Sequence, residues 1–497
     1  MMAEKTKTHA YCYDDLRGWL AAADELGEVR NISGLSWERE IGMASAILQR
    51  DGAAPCGLFD DIPGVEKGFR VLTNLFGGRR ASVTLGFSAG LTRFQLSDAF
   101  LSVYKNPNNK PVPHVIVESG PIFENTYFGV DVDLNIFPAP QWHEEDGGRY
   151  IGTGCYCVTR DPESGWLNQG TYRVMLHGKN SVGIYISPGK HGRMHLDKYM
   201  ERGEKMPIAV VLGGNPMQFL LTGNEVPFGV SEYDVLGGLY GRPVECVKGR
   251  ITGLPFPKSA EIVLEGWIEP GDVREEGPLG EWTGYYASGS RAEPVMRVEA
   301  VYHRNDPIIL GCVHEVGPTE YSRFRAVTRS ALLKEALKAA GIPDVSAVWA
   351  HEVGGARMLL GVAIKQRYGG HSKQAGHVAS QCQAGAYAGK YVVVVDDDID
   401  VSNLDELLWA MLTRSDPASS IDVITGAWST PLDPRIPPDQ RARGDFTNSR
   451  AIIDACRPYA WRDQFPKVNL PPRNVREEAQ ERFGWMVAPP QKQSNVI

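Results

Sequence analysis

The stretch Trp166–His195, WLNQGTYRVMLHGKNSVGIYISPGKHGRMH, combines polar side chains with two runs of residues that favour strands. Asn168–Leu176 and Ser181–Ile186 contain β-branched and aromatic residues, and the intervening HGKN is typical of a turn. If the two runs pair as a β-hairpin, Asn168, near the start of one strand, lies across from His191, just beyond the end of the other. An amide oxygen and an imidazole nitrogen would then converge.

That pair is a mixed oxygen and nitrogen ligand set, which admits Mg, Mn or Zn but lacks a carboxylate. Glu232 is a candidate third ligand, because Pro227 and Gly229 in VPFGVSEYD predict a turn that aims one carboxylate into a pocket. A polar strand end and a surface loop account for the same residues. The metal site is therefore a hypothesis.

An acidic pair lies in REEGPLGEWTGYY, where Glu276 and Glu281 flank a turn tight enough to fold both carboxylates toward one point. Beside Arg173, one carboxylate would stay ionised and pair with the guanidinium, while the other would hold a proton for delivery. Two exposed loop glutamates are the alternative. In a regular strand Asn168 and Arg173 face opposite sides, which predicts either a bulge at Gly170 or contacts with different ends of one ligand.

In this order, the motifs NQGTYR, SPGKH, PFGVSE and EEGPLGE resemble the UbiD family of reversible decarboxylases, which use prenylated FMN. Further along, KQRYGGHSKQ at Lys365–Gln374 and VVVVDDDIDVSNLDELLWAMLTRSDP at Val392–Pro417 look similar to the family's C-terminal signatures. The resemblance spans roughly residues 10–460.

The resemblance implies a role for each candidate residue. Arg173 would orient the substrate carboxylate or the cofactor, Glu276 would hold Arg173, and Glu281 would protonate the carbon after CO2 departs. The implied ligands of a divalent metal, Mn²⁺ or another, are Asn168, His191 and Glu232. The implied cofactor contacts are Asn168, Thr171, Arg173, Lys190, His191, Glu232 and Lys365, with Lys373 as an alternative cation. K⁺ is implied as a further cofactor.

The implied reaction is the non-oxidative, reversible decarboxylation of an aromatic or heteroaromatic acid through a covalent adduct with prenylated FMN. A UbiX-like FMN prenyltransferase would supply the cofactor to a homodimer or homohexamer. NSRAIIDACRP at Asn448–Pro458 looks closer to branches acting on ring carboxylates than to the cinnamate branch. An acrylic, cinnamic or aryl-CoA acid as substrate, an FMN-binding oxidoreductase and a non-catalytic subunit are the alternatives.

Composition is typical of a globular enzyme, with 42% hydrophobic and 23% charged residues and no apolar run near the ~18 residues of a membrane span. The net charge of -8 argues against a nucleic-acid surface, so an anionic substrate needs a local cation such as Arg173. Of eight cysteines, the close pair Cys155 and Cys157 lacks a partner pair at zinc-site spacing, which predicts reduced thiols. The N-terminus, MMAEKTKTHAYCYDD, has no apolar signal core and predicts a cytoplasmic chain.

The chain has 497 residues, more than a single hydrophobic core usually holds, so the sequence predicts a multidomain α+β protein. Short strands and frequent turns from Phe128 to His303 favour a barrel over alternating β-α units. A helix predicted at Arg325–Ala340 would connect this barrel to a C-terminal βαβ-like domain. The predicted order is an N-terminal α/β domain at 1–125, a split β-barrel that binds prenylated FMN at 126–305, a connector helix at 306–343, a C-terminal α/β oligomerisation domain at 344–460 and a tail at 461–497.

Asp396, Asp397 and Asp398 resemble a carboxylate metal cluster. A strand end that leads into a helix with a capping box of Asn403 and Glu406 explains them as well, and we favour this structural explanation.

Overall fold

The computed structural model describes residues 11–224, 226–469, 471 and 473–486. Residues up to Cys456 form one compact unit, and those from Arg457 form a second. Two segments on which the sequence makes a prediction lie outside the described residues. They are residues 1–10, for which the absence of a signal sequence is predicted, and residues 487–497 of the predicted tail. No helix of the described residues has the length and apolar character needed to cross a bilayer.

The described strands are β1 (Val29–Ser33), β2 (Cys56–Asp60), β3 (Arg70–Thr73), β4 (Val115–Ile116), β5 (Asn125–Phe128), β6 (Tyr150–Gly152), β7 (Cys155–Arg160), β8 (Leu167–Gly170), β9 (Val174–Gly178), β10 (Ser181–Ile184), β11 (Met206–Leu212), β12 (Glu245–Lys248), β13 (Pro255–Pro257), β14 (Ile262–Glu276), β15 (Arg291–His303), β16 (Ile308–Leu310), β17 (Val345–Ala350), β18 (Leu359–Ile364), β19 (Tyr391–Asp396), β20 (Ile421–Trp428) and β21 (Thr447–Ala455).

The described α-helices are α1 (Leu16–Glu25), α2 (Glu40–Arg50), α3 (Arg80–Thr84), α4 (Arg93–Tyr104), α5 (His191–Glu201), α6 (Pro216–Thr222), α7 (Glu232–Tyr240), α8 (Glu320–Ala339), α9 (His371–Gln381), α10 (Gln383–Ala386), α11 (Leu404–Arg414), α12 (Pro438–Ala442) and α13 (Arg473–Phe483). Short 3-10 helices lie at Pro121–Phe123, Gly129–Asp131, Leu134–Ile136, Glu352–Gly354, Tyr459–Gln464 and Gly484–Met486.

The N-terminal sheet has the strand order β1-β2-β3-β16, and its last strand comes from much later in the chain. β16 pairs in parallel with β3, with Ile309 opposite Val71. α1 begins at Leu16, because Asp15 caps it by accepting the Gly18 N–H at 2.8 Å, and it buries Trp19 against this sheet's core. β3 precedes the strands of the central sheet in the chain, and β16 follows them. Their pairing therefore holds the chain before and after the central sheet in the same small sheet.

The central sheet has the order β6-β9-β10-β15-β14-β11-β7-β8, with β5 beside β15. It curls into a half-barrel within a multidomain α+β fold. β14 and β15 are much longer than predicted, at 15 and 13 residues, and their register shifts between Ile268 and Val273, which bends the pair. The bend carries the end of β14, with Glu276, toward the start of β9.

The predicted hairpin is correct only in its second half. β9 and β10 pair as an antiparallel hairpin across Lys179 and Asn180, but the first predicted strand stops at Gly170. Asn168 belongs to β8, which pairs with β7 instead, and Asn168 lies opposite Thr159. The predicted conflict between Asn168 and Arg173 is therefore resolved by a break in the strand, since three residues outside any strand separate β8 from β9.

The helix that precedes the C-terminal sheet begins earlier than predicted, at Glu320 rather than Arg325. Thr319 and Ser322 form a capping box there, in which each side chain accepts the other residue's backbone N–H. Sequence periodicity missed this first turn because the buried side chains in it include polar ones, Glu320 and Ser322.

The C-terminal sheet has the order β17-β18-β19-β21-β20, with β18, β19 and β21 parallel. α9 joins the parallel strands β18 and β19 as a predicted βαβ unit, whereas α11 leads from β19 to β20, which is antiparallel to β21. Asp396 at the end of β19 and Asp398 just beyond it both pair with Arg414, at 3.1 and 2.8 Å. Among the described residues there is no group of three or more His, Cys, Asp or Glu side chains able to hold a metal. These aspartates are structural.

The predicted capping box of α11 is half correct. Asn403 accepts the N–H groups of Asp405 and Glu406, at 3.1 and 3.4 Å, and so caps the helix. The Glu406 carboxylate, however, accepts the backbone N–H of Asp400 at 3.1 Å rather than that of Asn403.

Candidate active site

Arg173 lies in the break between β8 and β9, and its guanidinium contacts two carboxylates at once. Nε and Nη2 donate to the two oxygens of Glu276 at 2.9 and 2.7 Å, a bidentate fork. Nη1 donates to Glu281 Oε1 and also to Ser288 Oγ, the latter at 3.2 Å. The three charged side chains are almost fully buried, with 9% of Arg173, 0% of Glu276 and 9% of Glu281 exposed.

The turn between the two acids determines this arrangement. Glu276 is the last residue of β14, and Gly277 follows with φ +92°, where a Cβ would also approach the Gly289 carbonyl oxygen to 2.5 Å. Only glycine fits this position without strain. The chain then reverses, so that Glu281, five residues after Glu276, reaches the remaining nitrogen of the same guanidinium.

The two carboxylates have different surroundings. Burial raises the pKa of Glu281 above its usual range, against the opposing effects of Arg173 and the Ser288 hydroxyl. Burial alone would lower the pKa of Arg173, but the charges of Glu281 and Glu276 raise it, so the guanidinium stays charged. Glu276 accepts three hydrogen bonds, two from Arg173 and one from Tyr150, so both of its oxygens are bound.

A second cluster gathers around Asn168, which is buried in β8. Its amide lies beside the Tyr172 hydroxyl, and that hydroxyl accepts the N–H of Gly192 at 3.0 Å in the first turn of α5. Because His191 is the first residue of α5, this contact brings Asn168 and His191 to the same region. The Asn168 Nδ2 atom is buried without a hydrogen-bond partner among the described residues.

Glu232 joins this region through the next residue of β8. Its Oε2 accepts the Gln169 N–H at 2.7 Å, and the Gln169 side chain in turn accepts the N–H of Tyr233 at 2.9 Å. These contacts dock the first turn of α7 on β8. Glu232 is 3% exposed, and burial raises its pKa to about 8. A buried carboxylate without a cationic side chain is costly to ionise, which fits a bound cation.

Aromatic rings pack against His191. The Trp166 ring centroid is 4.9 Å from that of His191 and 5.1 Å from that of His195, and Phe228 lies 4.8 Å from Trp166. Phe228 precedes Glu232 in the same motif, so the ring contacts join the α5 and α7 sides of the cluster. The available sequence signal was the presence of Trp166, His191 and His195 within the quoted stretch.

The remaining predicted cofactor contacts are dispersed. Thr171 pairs with Thr222 through their hydroxyls at 2.8 Å, next to the break that carries Arg173. Lys190 is exposed at the N-terminus of α5. Lys365 is exposed after β18, where its N–H donates to the Asp344 carbonyl, and the described contacts do not connect it to either cluster. Lys373 pairs with Asp422 at 2.9 Å.

Several residues of the Arg173 network escaped the sequence analysis. Tyr150 donates to Glu276 at 3.0 Å, Ser288 donates to Glu281 at 3.2 Å, and the Tyr185 ring lies 4.8 Å from the Arg173 guanidinium. Asp146 accepts the Gly280 N–H at 3.2 Å. The curl of the central sheet brings three of these residues, Tyr150, Asp146 and Ser288, to the two acids and the turn between them. No local sequence spacing predicts such contacts.

Comparisons with known proteins agree with one another. Residues 114–317 match the Rift-related domain of 3-octaprenyl-4-hydroxybenzoate carboxy-lyase (UbiD), and residues 322–455 match its C-terminal domain. The phenolic acid decarboxylase of Bacillus subtilis is 31% identical over 458 residues, which cover 90% of this chain and 93% of that protein. The pyrrole-2-carboxylic acid decarboxylase of Pseudomonas aeruginosa is 30% identical over 462 residues, which cover 89% and 92%.

Solved structures show the same similarity. The UbiD-class enzyme HmfF from Pelotomaculum thermopropionicum, in complex with FMN, superposes with a TM-score of 0.81 at 27% identity, covering 93% of this chain and 98% of that one. Vanillic acid decarboxylase from Sedimentibacter hydroxybenzoicus, in its open form, also gives 0.81, at 28% identity and 95% and 99% coverage. With these matches along most of its length, the chain belongs to the UbiD family and is a UbiD-like carboxy-lyase, that is, a decarboxylase.

Proposed function

We propose that this enzyme catalyses the non-oxidative, reversible decarboxylation of an aromatic or heteroaromatic carboxylic acid with prenylated FMN as cofactor. The observation that carries the proposal is the single guanidinium of Arg173 shared between the buried acids Glu276 and Glu281. Relatives named for phenolic and pyrrole acids support a ring carboxylate, and a related structure of HmfF in complex with prenylated FMN supports the cofactor.

The chemistry explains why such a site needs a cofactor. Loss of CO2 from a ring carbon leaves an electron pair in the plane of the ring, which no amino-acid side chain stabilises well. Prenylated FMN supplies the electron sink. The protein then has to bind the acid, orient its carboxylate, exclude water and deliver one proton to the carbon that lost CO2.

The cluster around Asn168 fits the anchor of that cofactor. We propose that Asn168, His191 and Glu232 would hold a divalent metal, Mn²⁺ or another, whose positive charge would offset that of the FMN phosphate. Support comes from the burial of Asn168, whose amide nitrogen has no hydrogen-bond partner among the described residues, and from the buried carboxylate of Glu232. Thr171, Lys190 and Lys365 are proposed cofactor contacts, and K⁺ a further ion.

The Arg173 network would perform the proton transfer. Glu276 keeps Arg173 in place, and Arg173 orients the carboxylate of the substrate or the cofactor. As the bond to CO2 breaks, its electron pair stays with the substrate and is later used to bind the proton that Glu281 gives up. Glu281 is left as a carboxylate beside Arg173, which stabilises the new charge, and it regains a proton from water in the next cycle.

Assembly and cofactor supply follow from the same proposal. We propose that the chain forms a homodimer or homohexamer through its C-terminal α/β region, and that a UbiX-like FMN prenyltransferase supplies the cofactor. The proposed domain limits are those predicted from the sequence, 1–125, 126–305, 306–343, 344–460 and 461–497, and the proposed location is the cytoplasm.

Glu281→Gln tests the assignment of the acid. The amide keeps the shape of the side chain but has no carboxyl proton to donate, so we expect kcat to fall by about 10²–10⁴-fold while the flavin stays bound. CO2 release and flavin absorbance measure the two effects. Glu275→Gln is the matched control, because Glu275 is an exposed glutamate near the end of β14, outside the Arg173 network. Turnover of Glu281→Gln within about tenfold of the wild type would assign the acid elsewhere.

His191→Ala tests the shared anchor. Because the metal would join the protein to the cofactor phosphate, removal of one ligand should lose metal and flavin together, each by about tenfold or more in occupancy. Elemental analysis and flavin absorbance of the purified protein measure this. His377→Ala serves as control, since His377 pairs with Asp422 at the C-terminal sheet. Full occupancy of both groups in His191→Ala contradicts the anchor.

Turnover of a substrate panel tests the class of acid. Phenolic, indole, pyrrole and phenazine carboxylic acids should release CO2, whereas cinnamic acid should react far more slowly. In deuterated water the product should carry a deuteron at the former carboxylate carbon, and high bicarbonate should drive the reverse exchange. If cinnamates react and every ring carboxylate is inert, the assigned class of substrate is wrong although the family is unchanged.

A further inference from the structure

Tyr150 is a buried residue of β6 whose hydroxyl reaches the Arg173 network at Glu276. It is 0% exposed, and its Oη donates to Glu276 Oε1 at 3.0 Å. The same oxygen accepts Arg173 Nε at 2.9 Å, so one carboxylate oxygen is bound by both residues. Tyr150 therefore contacts the residue that holds Arg173.

The residues just before Tyr150 hold the turn that carries the two acids. Gly147 donates its N–H to the Pro278 carbonyl at 2.8 Å, and Asp146 accepts the Gly280 N–H at 3.2 Å. A Cβ at Gly147 would lie 2.0 Å from the Gly277 carbonyl oxygen, so this approach requires glycine. Residues 146–150 thus bind the beginning, middle and end of the turn.

Tyr150 is the neutral donor among the three hydrogen bonds that Glu276 accepts. In a buried site the ionised form of a carboxylate depends on such donors, because water is not available to replace them. Burial, with a further contribution from Glu276, raises the pKa of Tyr150 far above its usual value, so its hydroxyl keeps the proton that it donates. The hydroxyl is a permanent donor at working pH.

We propose that Tyr150 is a positioning residue for decarboxylation, which keeps Glu276 ionised and fixed on Arg173 so that the transferable proton resides on Glu281. This inference rests on the proposed function, because it assigns Glu281 as the acid. In the described contacts the Tyr150 hydroxyl donates to Glu276 and, at 3.4 Å, to the Pro278 carbonyl of the same turn, but not to Arg173 or Glu281. It would therefore act through Glu276 and the turn that follows it.

The charged groups around Glu276 determine the direction of the pH effect. Arg173 and Tyr150 donate to it, His177 faces it from β9, and the acids Glu281 and Glu293 lie near it on the turn and on β15. Loss of the Tyr150 donor leaves Glu276 Oε1 bound by Arg173 Nε alone, so we expect the contact between Glu276 and Arg173 to loosen first as the solution is acidified.

Tyr150→Phe in the enzyme loaded with cofactor tests the inference. We expect kcat to fall about tenfold with KM within about threefold, and the acid limb of the pH profile to move up by about one pH unit, since each unit corresponds to a tenfold change in protonation. The matched control is Tyr302→Phe. Tyr302 donates to the buried Glu265 at 2.6 Å in the same sheet, away from Arg173.

Two further measurements distinguish positioning from general support of the fold. In cofactor-free protein, the infrared absorption of protonated carboxyl groups should extend to higher pH in Tyr150→Phe than in the wild type, and this difference should disappear when both proteins also carry Glu276→Gln. 4-aminophenylalanine at position 150, which retains a donor, should restore kcat and the acid limb, and it also serves if Tyr150→Phe does not fold.

An unchanged acid limb in Tyr150→Phe, or an equal shift in Tyr302→Phe, overturns the inference, as does failure of 4-aminophenylalanine to restore the profile. If the wild-type enzyme releases no CO2 from any acid, the proposed function fails instead. The infrared measurement on cofactor-free protein still decides in that case whether Tyr150 controls the protonation of Glu276.

Discussion

The contact on which the site depends is the ion pair of Arg173 with two buried glutamates. An isolated buried charge is unstable, and a buried pair is stable only when its remaining donors and acceptors are satisfied. Here the two oxygens of Glu276 accept from Nε and Nη2 of Arg173, and Glu281 accepts from the third nitrogen, Nη1. The arrangement leaves two acids in different surroundings around one cation, which is the condition for one to stay ionised while the other carries a proton.

One short stretch connects this network to the proposed metal anchor. β8 contributes Asn168 and Gln169 to one cluster, and Arg173, the last of the three residues between β8 and β9, belongs to the other. Because the break replaces the regular alternation of a strand, Asn168 and Arg173 reach different regions without a bulge.

The sequence predicted the α+β class, the β9–β10 hairpin and a βαβ connection in the C-terminal sheet, because each depends on local patterns. It did not predict that β8 leaves the hairpin, since the run from Asn168 to Leu176 has strand-forming residues throughout. It also missed Tyr150 and Ser288, whose approach to the two acids depends on the bend of β14 and β15. Lys365 was selected by resemblance, and the described contacts leave it apart from both clusters.

The central claim is that this site binds prenylated FMN and decarboxylates a ring carboxylate there. The most direct measurement is the mass and absorption spectrum of the flavin in protein purified after co-expression with an FMN prenyltransferase. The account predicts that prenylated FMN is released from the wild-type protein on denaturation, in an amount close to one per chain. Unmodified FMN alone, or no flavin, after such co-expression would contradict it.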